Sequence, residues 1–125
     1  MTFSKNLIKE NEEVYYLKKG HLNFNDAFDF LINKSKNNKR KTSRICLHEN
    51  KKSKIHKMLI CHHKSFIILP HCHLSKDETC IVLKGRMNLL FHKKNGIIKK
   101  TFNLNSNNFN FIKIDKKLFH SMFVL

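Results

Sequence analysis

The chain has 125 residues, 25 of them Lys or Arg against nine Asp or Glu, giving a net charge of +16 with histidine neutral. That length suits one domain with a single core, and a 41% hydrophobic share can fill it. No apolar run approaches the ~20 residues of a membrane-spanning helix, and the first residues, Met1 to Asn6, carry no apolar stretch or cleavage pattern of a secretory leader.

In chain order, residues 1–24 give little beyond a short strand at Glu12–Leu17 and a turn at Lys18–Gly20. Asn25 and Asp26 read as a helix start, and the spacing of Phe24, Ala27, Phe28, Leu31 and Ile32 predicts an amphipathic helix to about Asn33. Residues 34–44 are polar and basic and read as an exposed connector. Residues 1–44 are thus an arm with a short helix, and 45–125 a β-rich remainder, the two within one structural domain. Strands are expected at Lys57–His63, Ser65–Leu69 running on to His73 past Pro70, Thr79–Leu83, Arg86–Phe91, Ile97–Leu104, Phe109–Ile114 and Ser121–Leu125. Asn95-Gly96 marks a hairpin. Many short strands with turn signals every 8–12 residues predict a mainly β fold, a sandwich or barrel.

The basic residues are 22 Lys and three Arg, scattered from Lys5 to Lys117, and fifteen Asn accompany them. This favours a coding bias over a nucleic-acid surface. No aromatic stacking platform interleaves with the basic run, so nucleic acid is an unlikely partner. The charge would still draw phosphates and sugar nucleotides, and salt would weaken that attraction. Four cysteines at 46, 61, 72 and 80 form no C-x-x-C pair, which predicts a reduced, cytoplasmic setting.

The sharpest pattern is His71-Cys72-His73, then Glu78, Gly85 and a late His120. On a strand, His71 and His73 would point the same way and Cys72 the opposite way. The polar stretch Leu74–Asp77 allows a turn that brings Glu78 back to them. Two imidazoles and a carboxylate can hold one divalent ion, with zinc, iron, manganese and nickel not distinguished. His120, just before the last strand, is the natural fourth ligand. A rival zinc set of Cys61, His62 and His63 with Cys72 or Cys46 is weaker, and Cys46, Cys61 and Cys80 read as small core residues. The phenylalanines at 102, 109, 111, 119 and 123 read as core.

The spacing H-x-H-x(4)-E-x(6)-G at His71, His73, Glu78 and Gly85 resembles the first cupin motif. With Leu69-Pro70, Val82 to Arg86 and the upstream Arg44 to Asn50, the stretch from about residue 40 to 122 resembles the WbuC-type cupin fold metalloproteins. That resemblance implies a small cupin jelly-roll β-barrel with a short N-terminal helix. It also implies a metal held by His71, His73, Glu78 and His120, and a place in surface-polysaccharide (O-antigen) biosynthesis. The substrate would be a sugar or sugar nucleotide, with isomerase- or epimerase-like chemistry if the protein is an enzyme. His48, His56 and Arg86 are candidate substrate contacts, each with a plainer structural or solvated reading. The alternative is a noncatalytic metal- or anion-binding cupin, or a truncated and inactive copy. An exposed edge at Leu125 would invite a homodimer.

Overall fold

A computed structural model of the chain describes residues 3–108 and 110–125. Among these residues the protein is mainly β, with ten strands and one α-helix, and it divides into two compact units, Met1–Phe66 and Ile67–Leu125.

The first unit starts with a 3-10 turn, Phe3–Asn6, and then holds β1 (Leu7–Lys9), β2 (Val14–Leu17), α1 (Phe24–Asn37), β3 (Thr42–Cys46) and β4 (Met58–His62). The sheet order is β1-β2-β3-β4. β2 and β3 run parallel, Val14 opposite Arg44, so α1 is the crossover between them. The helix begins at Phe24, one residue before the expected start. Asn23 caps it, its Oδ1 accepting from the Asp26 amide at 3.1 Å. It also runs one turn further, to Asn37. The expected connector thereby shrinks to four residues, 38–41, which Asn38 closes by accepting from the Lys41 amide (2.7 Å) and donating to the Thr42 carbonyl (2.6 Å). The expected boundary at 44/45 falls inside β3.

Leu7, Tyr15, Ala27, Leu31 and Ile45 form this unit's core. Fully burying side chains such as Leu31 and Ile45 contributes about 2 kcal/mol each. Ser35, Thr42 and Ser43 are buried beside them, which corrects the reading of 34–44 as exposed. Their hydroxyls are satisfied locally. Ser35 Oγ and Ser43 Oγ, 2.7 Å apart, reach the carbonyls of Cys61 (3.1 Å) and Leu31 (2.9 Å). Thr42 Oγ1 lies 3.2 Å from the Cys61 carbonyl and 2.8 Å from His62 Nδ1.

The second unit holds β5 (Ile67–His71), β6 (Glu78–Ile81), β7 (Arg86–His92), β8 (Ile98–Asn105), β9 (Phe111–Ile114) and β10 (Phe119–Val124). One sheet has the order β5-β10-β7-β8, and β6 pairs with β9. Leu89, Leu104 and Ile114 are buried at the centre. Cys80, Val82, Phe91, Phe102 and Met122 pack against them, so residues of both sheets build one core. Gly85, at φ +87°, makes the turn into β7, a conformation in which a Cβ is strained. Asn95-Gly96 makes the expected hairpin between β7 and β8, with the Gly96 amide donating to the Lys93 carbonyl at 2.9 Å. Not all the phenylalanines are core. Phe111 is 64% exposed and Phe123 38%, Phe102 and Phe119 are half-buried, and Phe109 lies outside the described residues.

Candidate metal centre

β5 is the outer strand of its sheet, and Pro70 sits in it, where a missing amide costs no interior ladder bond. His71 lies opposite His120, and Ile68 opposite Met122, so Leu69 and Pro70 together face the single residue Ser121. This is a bulge. At the bulge the Leu69 carbonyl accepts the Nδ1–H of His71 at 2.8 Å. Across the pair, His120 Nδ1 donates in the same way to the Leu118 carbonyl at 3.0 Å. A backbone carbonyl can only accept, so both Nδ1 atoms carry a proton, and in the neutral ring Nε2 is the nitrogen left with a lone pair.

His73 is not on a strand. β5 ends at His71, and the two residues that follow lie in the connection to β6. The expected parallel orientation by strand alternation is replaced by a tether: the Lys117 amide donates to the His73 carbonyl at 2.6 Å. The Lys116 amide donates to Asp77 Oδ1 at 2.8 Å. These two bonds fasten the turn before β10 to the segment between β5 and β6. Lys117 adopts φ +68° in that turn, a left-handed position held by a non-glycine residue.

The imidazoles of His71, His73 and His120 converge. His71 and His120 have ring centroids 4.3 Å apart, and His71 and His73 5.2 Å. One ligand nitrogen from each lies within 4.8 Å of the others. Nitrogens about 2.1 Å from one tetrahedral ion stand about 3.4 Å apart, so the three rings would draw together on binding it. Glu78, the first residue of β6, places Oε1 2.6 Å from His73 Nε2 and 3.6 Å from His120 Nε2. Even so, Glu78 Oε1 and His120 Nε2 are both buried without a properly directed hydrogen bond. His120 is fully buried, and burial, then the neighbouring His71 and His73, hold its pKa below the ordinary imidazole range against the opposing pull of the Leu118 carbonyl and Glu78. It is therefore neutral at pH 7, the ligating form. Three imidazoles and a carboxylate, with His120 Nε2 and Glu78 Oε1 orphaned among them, fit a divalent cation.

The other candidates are not among the clustered histidines. His48 and His56, in the first unit, stack on each other with centroids 4.1 Å apart, and His48 Nδ1 accepts from the Lys57 amide at 3.1 Å. Arg86 is exposed at the start of β7. The rival zinc set does not assemble among the described residues. Cys61 packs on the first core, His62 bonds to Thr42, and His63 Nδ1 lies 2.8 Å from Ser65 Oγ. Cys80 packs in the second core, where burial and then the charge of Glu78 push its thiol up. The residues that the spacing missed are Asp77, Lys116 and Lys117, whose backbone bonds no side-chain pattern announces.

No curated protein matches the chain, and no solved structure does. A family model described as Domain of unknown function (DUF6016) matches residues 22–104, more than half of the chain, a span that includes His71, His73 and Glu78 and ends before His120; the chain belongs to that family.

Proposed function

We propose that this protein is a metal-binding cupin, its second unit a jelly roll built around a divalent ion at His71, His73, Glu78 and His120. The observation that carries the reading is the pair of imidazoles fixed by Nδ1–H bonds to the carbonyls two residues earlier, beside a carboxylate oxygen buried without a properly directed hydrogen bond. Polar atoms buried without partners cost about 1–3 kcal/mol each, so a site that keeps two of them is built for something that satisfies them. Bound there, a divalent ion would supply a Lewis acid able to polarise a carbonyl oxygen. Glu78, against His73 at the exposed side of the cluster, can hold or return a proton next to that position.

The resemblance to WbuC-type proteins extends the proposal to a sugar or sugar nucleotide of surface-polysaccharide synthesis, handled by isomerisation or epimerisation. A basic protein of net charge +16 suits an anionic substrate. Elemental analysis of untagged protein tests the site: about one equivalent of metal is expected, lost in His71→Ala. Full retention by that variant sinks the assignment. Turnover of a nucleotide sugar that a chelator abolishes would support the enzyme. Metal binding with no such turnover would support a noncatalytic binding protein.

A further inference from the structure

Three successive backbone amides hold the turn between β9 and β10. The Lys116 amide donates to Asp77 Oδ1 at 2.8 Å, the Lys117 amide to the His73 carbonyl at 2.6 Å, and the Leu118 amide to the Asp115 carbonyl at 3.2 Å. Of these acceptors Asp77 alone is a side chain. It is exposed, so its part in the fold is this bond and not burial.

Two candidate ligands depend on that turn. His73 lies outside β5, where no strand ladder places it, and its carbonyl takes the Lys117 amide. The backbone of His120 is set by β5 and β7, but its ring is oriented by the carbonyl of Leu118, which closes the turn. The other two are held without it. His71 sits on β5 with its ring on the Leu69 carbonyl, and Glu78 opens β6 opposite Ile114.

We infer that Asp77 is a positioning residue of the metal centre: its carboxylate fixes the turn at 115–118, and the turn presents His73 and His120 to the ion. This rests on reading the histidine cluster as a metal site. A hydrogen bond from an amide to a carboxylate is about twice as strong as a neutral one. Ligands already in place lose less freedom when the ion binds. Without Asp77 the turn keeps only its backbone bonds, one of them from Lys117, whose left-handed φ of +68° works against the turn. The ion would then have to order the turn as well as bind, and affinity falls although all four side chains remain.

Cobalt(II), titrated into metal-free full-length protein against a chromophoric chelator, tests the role. Asp77→Ala should bind about tenfold more weakly than wild type, as outer partners of metal ligands do. Asp77→Asn keeps an oxygen for the Lys116 amide without the charge, and should stay within about threefold of wild type. Ser43→Ala, which loses a buried hydrogen bond in the first unit, should leave cobalt affinity unchanged and so exclude a general loss of stability. Metal-free protein gives a second readout: hydrogen exchange at the Lys116 and Lys117 amides should quicken in Asp77→Ala and not in Asp77→Asn. Wild-type cobalt affinity in Asp77→Ala, or weaker affinity with Lys117 exchange as slow as in wild type, overturns the positioning role while leaving the metal site intact. Equal weakening by Asp77→Asn and Asp77→Ala would trace the effect to charge and overturn it too. Wild type that binds no cobalt overturns the site itself, and the role of Asp77 with it.

Discussion

Two clusters of buried polar side chains, one in each unit, are handled in opposite ways. Around α1 and β3, the hydroxyls of Ser35, Thr42 and Ser43 are buried and each finds a partner within 3.2 Å. Around β5 and β10, His120 is just as buried and its Nε2 has none, nor does the Glu78 oxygen beside it. Satisfied polarity specifies packing: it fixes the helix to its sheet at one register and asks for nothing more. Unsatisfied polarity that converges on one point calls for a ligand. Burial and residue type alone do not separate the two cases; the accounting of partners does.

The largest expected effect separates them directly. His120→Ala should lower metal affinity by on the order of 100-fold or more, while Ser43→Ala should leave metal content unchanged. Equal metal loss in both, measured by elemental analysis after dialysis, would erase the distinction.

Acid comes next. Burial, then the charge of Arg44, lower the pKa of His62 from the ordinary 6.5 to about 4, and His120 is lowered too. The unfolded chain takes up the proton first, so this stability is whole above pH 6.5 and is lost as pH falls from 6.5 toward 4. His62 alone accounts for on the order of 3 kcal/mol of that loss. Urea titrations of metal-free protein across this range should show it, and His62→Gln should flatten the slope. An unaltered slope would mean that His62 is not held neutral by the fold.

Ser43→Ala should cost about 1–2 kcal/mol in the midpoint of denaturant unfolding, because the Leu31 carbonyl and Ser35 lose a shared partner. The smallest effect has the opposite sign. Lys117→Gly should stabilise by about 0.5–1 kcal/mol, since glycine accepts a φ of +68° that strains lysine. The amide bond to His73 survives that change, so metal stoichiometry should hold.

The candidate ligands were legible because they lie on a spacing. His71, His73 and Glu78 are close in sequence, and His120 follows from needing one more donor near the last strand. The β-strands of the second unit were legible for a similar reason: short apolar runs punctuated by Lys84-Gly85 and Asn95-Gly96. The first unit was legible only in part: β2, α1 and β4 fall where the spacing placed them, but β1, β3 and the buried polar side chains were not expected. Ser35, Thr42 and Ser43 have the polarity of a solvated loop, and their burial depends on partners 8–26 residues away that the local sequence does not display. The parallel pairing of β2 with β3 is likewise set by where α1 packs, not by any residue in either strand. Even at the site, His73 reached its place by a backbone tether and not by the strand alternation that suggested it.

The bulge at Pro70 has a bearing on how the chain survives its own synthesis. β5 is a sheet border carrying Ile67 and Leu69, 62% and 72% exposed, the kind of apolar border onto which a stray strand adds and from which fibrils grow. Proline has no amide to offer an incoming strand, and the extra residue breaks the straight repeat that stacking needs. The same kink that sets the Leu69 carbonyl against His71 thus leaves an aggregating neighbour only about three residues on which to register, too few to hold it.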